Sequence, residues 1–235
     1  MNHKEKKAMG LQSRWSLLGK AAVKFLSGFA AMCLLLFLPA GTFVYPCGWL
    51  LIGLLFAPML FVGVLLLWKV PELLEKRLGT KETENDQKIV IALSSLEFLL
   101  CFVLAGLDFR FSWSHFGVWL TVAASAVFLT GYILYAEVMR ENAFLSRTVE
   151  VQEGQKVIDT GLYALVRHPM YFATVLLFWT MPLVLGSWLA FFVMLPYPLL
   201  LVKRIRNEEK VLREGLTGYA EYCGKVRYRL IPFVW

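Results

Sequence analysis

The sequence predicts an all-α integral membrane protein: a polytopic helical bundle with five to six membrane-entering helices, the last two of them a broken hairpin. Three observations carry this. Of 235 residues, 58% are hydrophobic and only 17% charged, where soluble domains average about 45–50% and about 25%. With a mean hydropathy of +0.61 there are too few polar residues to coat a water-soluble globule, so lipid must solvate the outer face. The apolar residues also come in charge-free stretches of the roughly 20 residues that cross a hydrocarbon core of about 30 Å.

The elements follow in order. Residues 1–24 read as a basic cytoplasmic segment carrying Lys4, Lys6, Lys7, Arg14, Lys20 and Lys24. Residues 25–136 hold four transmembrane helices. Phe25 to Tyr45 and Gly48 to Trp68 carry no charge, Ile89 to Leu107 is interrupted only by Glu97, and Phe116 to Ala136 is again charge-free. Because the first stretch is of full spanning length and no clear small-residue site ends it, it reads as a span and not as a cleavable signal peptide. Met170 to Val202 also lacks charge, but one straight helix of that length would measure about 50 Å at ~1.5 Å per residue. Pro182 followed by Gly186-Ser187 supplies a breaker near its middle, which reads as a hairpin of two short, tilted helices entering and leaving on one side. One long span plus an interfacial segment is the alternative.

Of 24 Lys and Arg, only Arg110 falls in a loop that this topology places outside, so the positive-inside rule puts both termini in the cytoplasm. The net charge of +7 then belongs to loops facing anionic headgroups and requires no nucleic acid. Cys33, Cys47, Cys101 and Cys223 form no C-x-x-C pair, which points to neither a disulfide framework nor a zinc site. No G-x-G-x-x-G, P-loop, H-E-x-x-H or G-x-S-x-G is present, leaving soluble dinucleotide binding, phosphoryl transfer, zinc proteolysis and α/β-hydrolase chemistry unsupported.

Polar chemistry collects in Glu137 to Tyr171 and Lys203 to Trp235. Gln155 to Tyr163 reads as a short extended segment closing in a Gly turn. In Arg167-His168-Pro169-Met170-Tyr171, Pro169 disfavours α geometry at His168 and suits the first turn of the next helix. Arg167 and His168 then sit at a helix N-terminus entering the membrane, a seat for a carboxylate or phosphate. Taken alone, Arg167 reads as a juxtamembrane anchor. Arg204 and Glu208 stand at i and i+4 where the apolar helix leaves the bilayer; they read either as a solvated salt bridge or as a divided site, Arg204 for an anion and Glu208 for a cation or hydroxyls. Glu97, ionisable within a span, reads equally as functional or as a buried structural contact, and is kept out of the site.

Gly161-Leu162-Tyr163, Arg167-His168-Pro169-Met170-Tyr171, the broken apolar hairpin, Arg204 with Glu208-Glu209 and Leu212, then Tyr219, Tyr222, Val226 and Ile231-Pro232 resemble the carboxyl-terminal half of the isoprenylcysteine carboxyl methyltransferase family, to which the phospholipid methyltransferases are related. The likeness spans roughly Gln155 to Trp235. It implies a cofactor-binding methyltransferase region over 137–235, including the membrane hairpin 170–202, with S-adenosylmethionine bound on the cytoplasmic side and no metal. Carried over, it assigns the cofactor to Gln155, Lys156, Val157, Ile158, Tyr163, His168, Pro169, Met170, Tyr171 and Glu208. Arg204 receives the carboxylate of a lipid-like or lipidated acceptor arriving from the bilayer. The same tail also resembles membrane sterol and polyprenyl reductases that use NADPH, through the Arg-His-Pro string and Tyr228-Arg229-Leu230-Ile231-Pro232. Those reductases usually carry an acidic residue soon after Arg-His-Pro-x-Tyr, where this chain has Phe172, Ala173 and Thr174. A catalytically silent membrane scaffold is the third reading.

Overall fold

A computed structural model describes residues 3–78, 85–114, 117–145, 149 and 151–235. Its helices are α1 (His3–Ala40), α2 (Pro46–Lys69), α3 (Pro71–Leu78), α4 (Asn85–Phe111), α5 (Val118–Glu141), α6 (Pro169–Val184), α7 (Trp188–Met194), α8 (Tyr197–Gly215) and α9 (Tyr219–Lys225), with a 3₁₀ turn at Gly161–Ala164. No strand forms among the described residues. Five segments are long and apolar enough to cross a bilayer: Arg14–Ala40, Pro46–Lys69, Gln87–Phe111, Val118–Glu141 and Trp188–Gly215, the last combining α7 and α8. The protein is an integral, multi-pass, all-helical membrane protein.

Helix ends depart from the sequence expectation in a consistent direction. The first helix begins well before Phe25 and stops at Ala40 instead of Tyr45; α4 and α5 each continue past their apolar runs into charged residues. Apolarity marks where lipid touches a helix, whereas the helix ends only where its hydrogen-bond ladder is broken. Gly41, at φ 69°, ends α1. Tyr45 lies in the turn beyond, almost fully buried, its hydroxyl donating to Leu185 O at 2.7 Å. Val70, before Pro71, adopts φ −144°, ψ 65°, outside helical geometry, and separates α2 from α3. Phe116, the expected start of the fourth span, lies outside the described residues.

The long apolar stretch is a hairpin, broken at Leu185 to Ser187. Pro182 stays inside α6; the reversal falls at Gly186, φ 78°, and Ser187, whose hydroxyl accepts from Ala190 N at 3.1 Å to cap α7. Buried Asp108 of α4 fixes this turn: it accepts from Ser187 Oγ, and from Ser114 N and Oγ, each at 2.6 Å. The return leg packs on α6 through Trp179 Nε1, which donates to Met194 O at 3.0 Å, and through the Phe178–Tyr197 edge contact.

Inside lipid, helix association depends on close fit. Two glycines allow it. A Cβ on Gly106 would lie 2.6 Å from Leu36 O, and one on Gly131 would lie 3.0 Å from Leu177 Cγ and 3.2 Å from Ala173 O, so α1 meets α4, and α5 meets α6, backbone to backbone. The core between the helices holds Leu36, Leu51, Phe128, Met194 and Ile205. Leu38, Phe61, Trp119, Ile133 and Leu199 point outward, the arrangement expected of a lipid-solvated bundle.

Candidate active site

Pro169 occupies the first turn of α6, and His168 before it adopts φ −125°, ψ 61°, outside helical geometry because the proline ring excludes it. That corner is held from two sides. Main-chain Arg167 N donates to Tyr228 O and His168 N to Arg229 O, both at 2.9 Å. From α8 comes Glu209, whose buried carboxylate lies 2.7 Å from Arg167 Nε and 3.3 Å from His168 Nε2 through Oε1, and 2.9 Å from Arg229 Nε through Oε2. Arg167 is 7% exposed, with Nη1 also donating to Cys223 O and Val226 O. The expectation of a juxtamembrane anchor at Arg167 is therefore corrected: this guanidinium is an internal tie whose charge is balanced by Glu209.

Around this corner lies one cavity of about 90 Å³. Gln155, Lys156, Val157, Ile158, Tyr163, His168, Pro169, Met170, Tyr171 and Glu208 all line it. The extended segment expected over Gln155 to Tyr163 is a loop closed by the 3₁₀ turn. Sequence reasoning did not single out Asn142, Phe144 or Leu145 as further walls, nor Tyr219 and Tyr222 for this cavity. The last two were visible as an i, i+3 pair whose α9 context the sequence left open.

Arg204 is absent from the cavity lining but joined to it. Its Nε donates to Tyr171 Oη at 2.9 Å, and Tyr171 Oη donates to Glu208 Oε2 at 2.5 Å. Tyr171 thus stands between the two charged side chains, which the sequence had paired directly. The guanidinium carbon also lies 5.9 Å from the Tyr171 ring centre, within cation–π range. Glu97 is buried on α4, both carboxylate oxygens without a hydrogen-bond partner among the described residues.

Three further phenols line the cavity, Tyr163, Tyr219 and Tyr222. Burial pushes Tyr163 up to about 12, opposed by the hydrogen bond from Asn142, and burial likewise raises Tyr219 and Tyr222. They remain neutral hydroxyl donors at ordinary pH. Tyr222 uses its donor on Tyr163 O at 2.7 Å. Tyr219 Oη is buried with no hydrogen-bond partner among the described residues, and so is a polar atom that a ligand can satisfy.

An ammonium or a diol suits Glu208, a small anion suits the start of α6, and a further acceptor suits Tyr219; this donor set fits an amino-acid nucleoside such as S-adenosylmethionine. Small-molecule sites usually measure about 300–1,000 Å³, so a ligand of that size requires the walls to part.

Residues 121–214 match the model of the Isoprenylcysteine carboxyl methyltransferase (ICMT) family. The match includes most of α5, the Arg-His-Pro corner, the hairpin, and Glu208 and Glu209 of α8. Curated relatives are named as reductases. The Delta(14)-sterol reductase TM7SF2 of Mus musculus is 34% identical over 91 residues, 37% of this chain and 22% of that protein. The 7-dehydrocholesterol reductase of Arabidopsis thaliana is 33% identical over 82 residues, 34% and 19% of the two chains. The Delta(14)-sterol reductase erg24 of Schizosaccharomyces pombe is 29% identical over 90 residues, 37% and 21%. The matched stretch is thus about a fifth of these relatives' length.

Proposed function

We propose that this chain, whose residues 121–214 match a membrane methyltransferase family, is an S-adenosylmethionine-dependent methyltransferase acting on a lipidic or lipidated acceptor at a carboxylate. The observation that carries the reading is the Arg204–Tyr171–Glu208 chain of hydrogen bonds. It sets a fixed cation beside a carboxylate in the cavity wall, where α8 emerges from the apolar bundle. When bound, S-adenosylmethionine supplies a sulfonium methyl whose carbon–sulfur bond breaks as an acceptor oxygen attacks in line, a step that needs alignment and, for a carboxylate, no proton transfer.

Glu208 receives the cofactor's ammonium or ribose hydroxyls, and the α6 N-terminus its carboxylate. Gln155 to Ile158 and Tyr163 form the opposite wall, and His168, Pro169 and Met170 the floor. Val157, Ile158 and Leu212 exclude water, which strengthens each polar contact within. Arg204 holds the acceptor carboxylate, and Tyr171 fixes the direction of the guanidinium. A carboxylate acceptor is already nucleophilic and needs no general base. By the distribution of Lys and Arg, both termini and the candidate active site lie on the cytoplasmic side.

The reductase names of the relatives favour a second reading, NADPH-dependent reduction of a sterol- or polyprenyl-like lipid. Calorimetric titration of the detergent-purified protein with S-adenosylhomocysteine and, separately, NADPH distinguishes the two. The methyltransferase reading expects saturable S-adenosylhomocysteine binding that Glu208→Ala weakens at least about tenfold, the equivalent of losing one charge-assisted hydrogen bond. Binding of NADPH alone would establish the reductase instead, and binding of neither would leave the scaffold.

A further inference from the structure

Beyond α9 the chain folds into a short closed loop. Arg229 N and Leu230 N donate to Trp235 O at 2.9 Å, and Val234 N and Trp235 N donate back to Ile231 O at 3.2 and 3.1 Å. Two side chains seat the loop: Leu230 is buried in the bundle core and Trp235 packs against the same cluster, with the Arg229 guanidinium carbon 5.2 Å from the Trp235 ring centre. What it turns outward is apolar. Ile231, Pro232, Phe233 and Val234 are all exposed, Phe233 at 88% and Val234 at 76%, a run that water disfavours. Phe233 also holds φ 65°, a left-handed conformation unfavourable for a bulky side chain. The hydrogen bonds that close the loop keep it there, and the result is a ring standing clear of the bundle, its centre 5.3 Å from that of Tyr228.

The height of the loop on the bundle says what that ring meets. Arg167 N donates to Tyr228 O and His168 N to Arg229 O, so the loop begins level with the Arg-His-Pro corner, where the charge-free stretch of α6 starts at Pro169. On the other flank Arg229 is held by Glu209, which lies on α8 shortly after the apolar run ends at Val202. Both flanks mark the boundary between lipid and water. Exposed Lys225 and Arg227 precede the loop, basic groups suited to anionic headgroups.

We propose that residues 231–234 form a wedge that enters the headgroup–acyl boundary of the leaflet bordering the candidate active site, with the Phe233 ring as its tip. An apolar tip flanked by cations has the composition of an interfacial anchor, and its attachment to the bundle at the level where lipid begins selects the bilayer as its occupant. The proposal is independent of the reaction assigned to the cavity, because depth is read without cofactor or turnover.

The test is nitroxide depth measurement by power saturation, on the full chain in nanodiscs of phosphatidylcholine and phosphatidylglycerol. In a cysteine-free background, labels are placed at Val234→Cys, at Leu199→Cys as the lipid-facing reference on α8, and at Gly154→Cys as the aqueous reference, all three positions being exposed. The Val234 label is expected to collide more with oxygen than with a water-soluble nickel chelate, as at Leu199, and the Gly154 label to show the reverse. Adding Phe233→Asp should turn the Val234 label to the aqueous pattern while the Leu199 label keeps its lipid pattern, since the ring lies outside the bundle core. An aqueous pattern at Val234 with Phe233 in place would overturn the proposal, as would a lipid pattern that Phe233→Asp leaves unchanged. Shielding of the Val234 label from both reagents would overturn it in favour of contact with a second copy or another protein.

Discussion

Glu208 and Glu209 are neighbours in sequence, yet about 100° of helix rotation separates them, and the structure gives them different partners. Glu208 faces the cavity with Tyr171, while Glu209 lies against Arg167, His168 and Arg229. Removing one member of a buried ion pair typically costs about 3–5 kcal/mol. Glu209→Gln should therefore lower the melting temperature strongly, whereas Arg229→Ala, which removes a side chain that is itself 33% exposed, should cost about 1 kcal/mol or less; thermal unfolding in detergent compares them. Under the methyltransferase reading, Arg204→Ala should leave S-adenosylhomocysteine affinity near wild type and reduce acceptor turnover, while Tyr171→Phe should reduce both, because its hydroxyl contacts both charged groups. Equal loss of cofactor affinity in Arg204→Ala and Glu208→Ala would contradict the division of roles. Tyr163 also carries a sign for pH. Its folded-state value of about 12 exceeds the ordinary tyrosine value of 10.0, so its contribution to stability is complete below 10.0 and is lost as pH rises through about 12. Absorbance of tyrosinate during alkaline unfolding should show this late titration. At this scale the Arg-His-Pro string and both ends of the Arg204–Glu208 pair were legible in the sequence, but Tyr171 as the bridge and Glu209 as the tie were not. Spacing along one helix says nothing about which side chain of another helix stands opposite.

The hairpin shows how elements acquire their limits. A charge-free run too long for one crossing signalled a break, and Gly186-Ser187 gave its place, because a left-handed glycine followed by a capping serine reverses a helix. What anchors the turn comes from α4: Asp108 collects the donors of Ser114 and Ser187. Asp108→Ala should leave those buried hydroxyls unpaired and destabilise the protein by about 1–3 kcal/mol, read as faster proteolysis at the turn and a lower melting temperature. Gly131→Leu belongs to the same scale. Its side chain would enter the space now held by Leu177 and the Ala173 carbonyl, and overpacking of this kind costs about 1–3 kcal/mol. The expected result is loss of stability from a substitution that raises the helix propensity of α5. Neither glycine contact nor carboxylate anchor could be read beforehand, since each is defined by a distance between elements.

Over the whole molecule the apolar side chains lie on the outside as well as in the core, since lipid takes the place of a polar coat. The orientation expected from the basic residues is open to direct measurement. In a cysteine-free background, Gly154→Cys should react with an impermeant maleimide from the cytoplasmic side and Ser112→Cys from the opposite side; the reverse pattern would refute the positive-inside assignment. By itself the sequence determined that the chain is helical and membrane-embedded, where lipid-length segments fall, and which strings hold polar chemistry, because bilayer thickness and side-chain transfer energies act on local composition. Only the tertiary structure decided that the loop after α5, the Arg-His-Pro corner, α8 and α9 close around one cavity, that Tyr171 separates Arg204 from Glu208, and that Leu230 and Trp235 seat the loop after α9 against the bundle core. Those features depend on which faces of distant helices meet, and that is set by packing of the complete bundle, to which no local stretch of sequence has access.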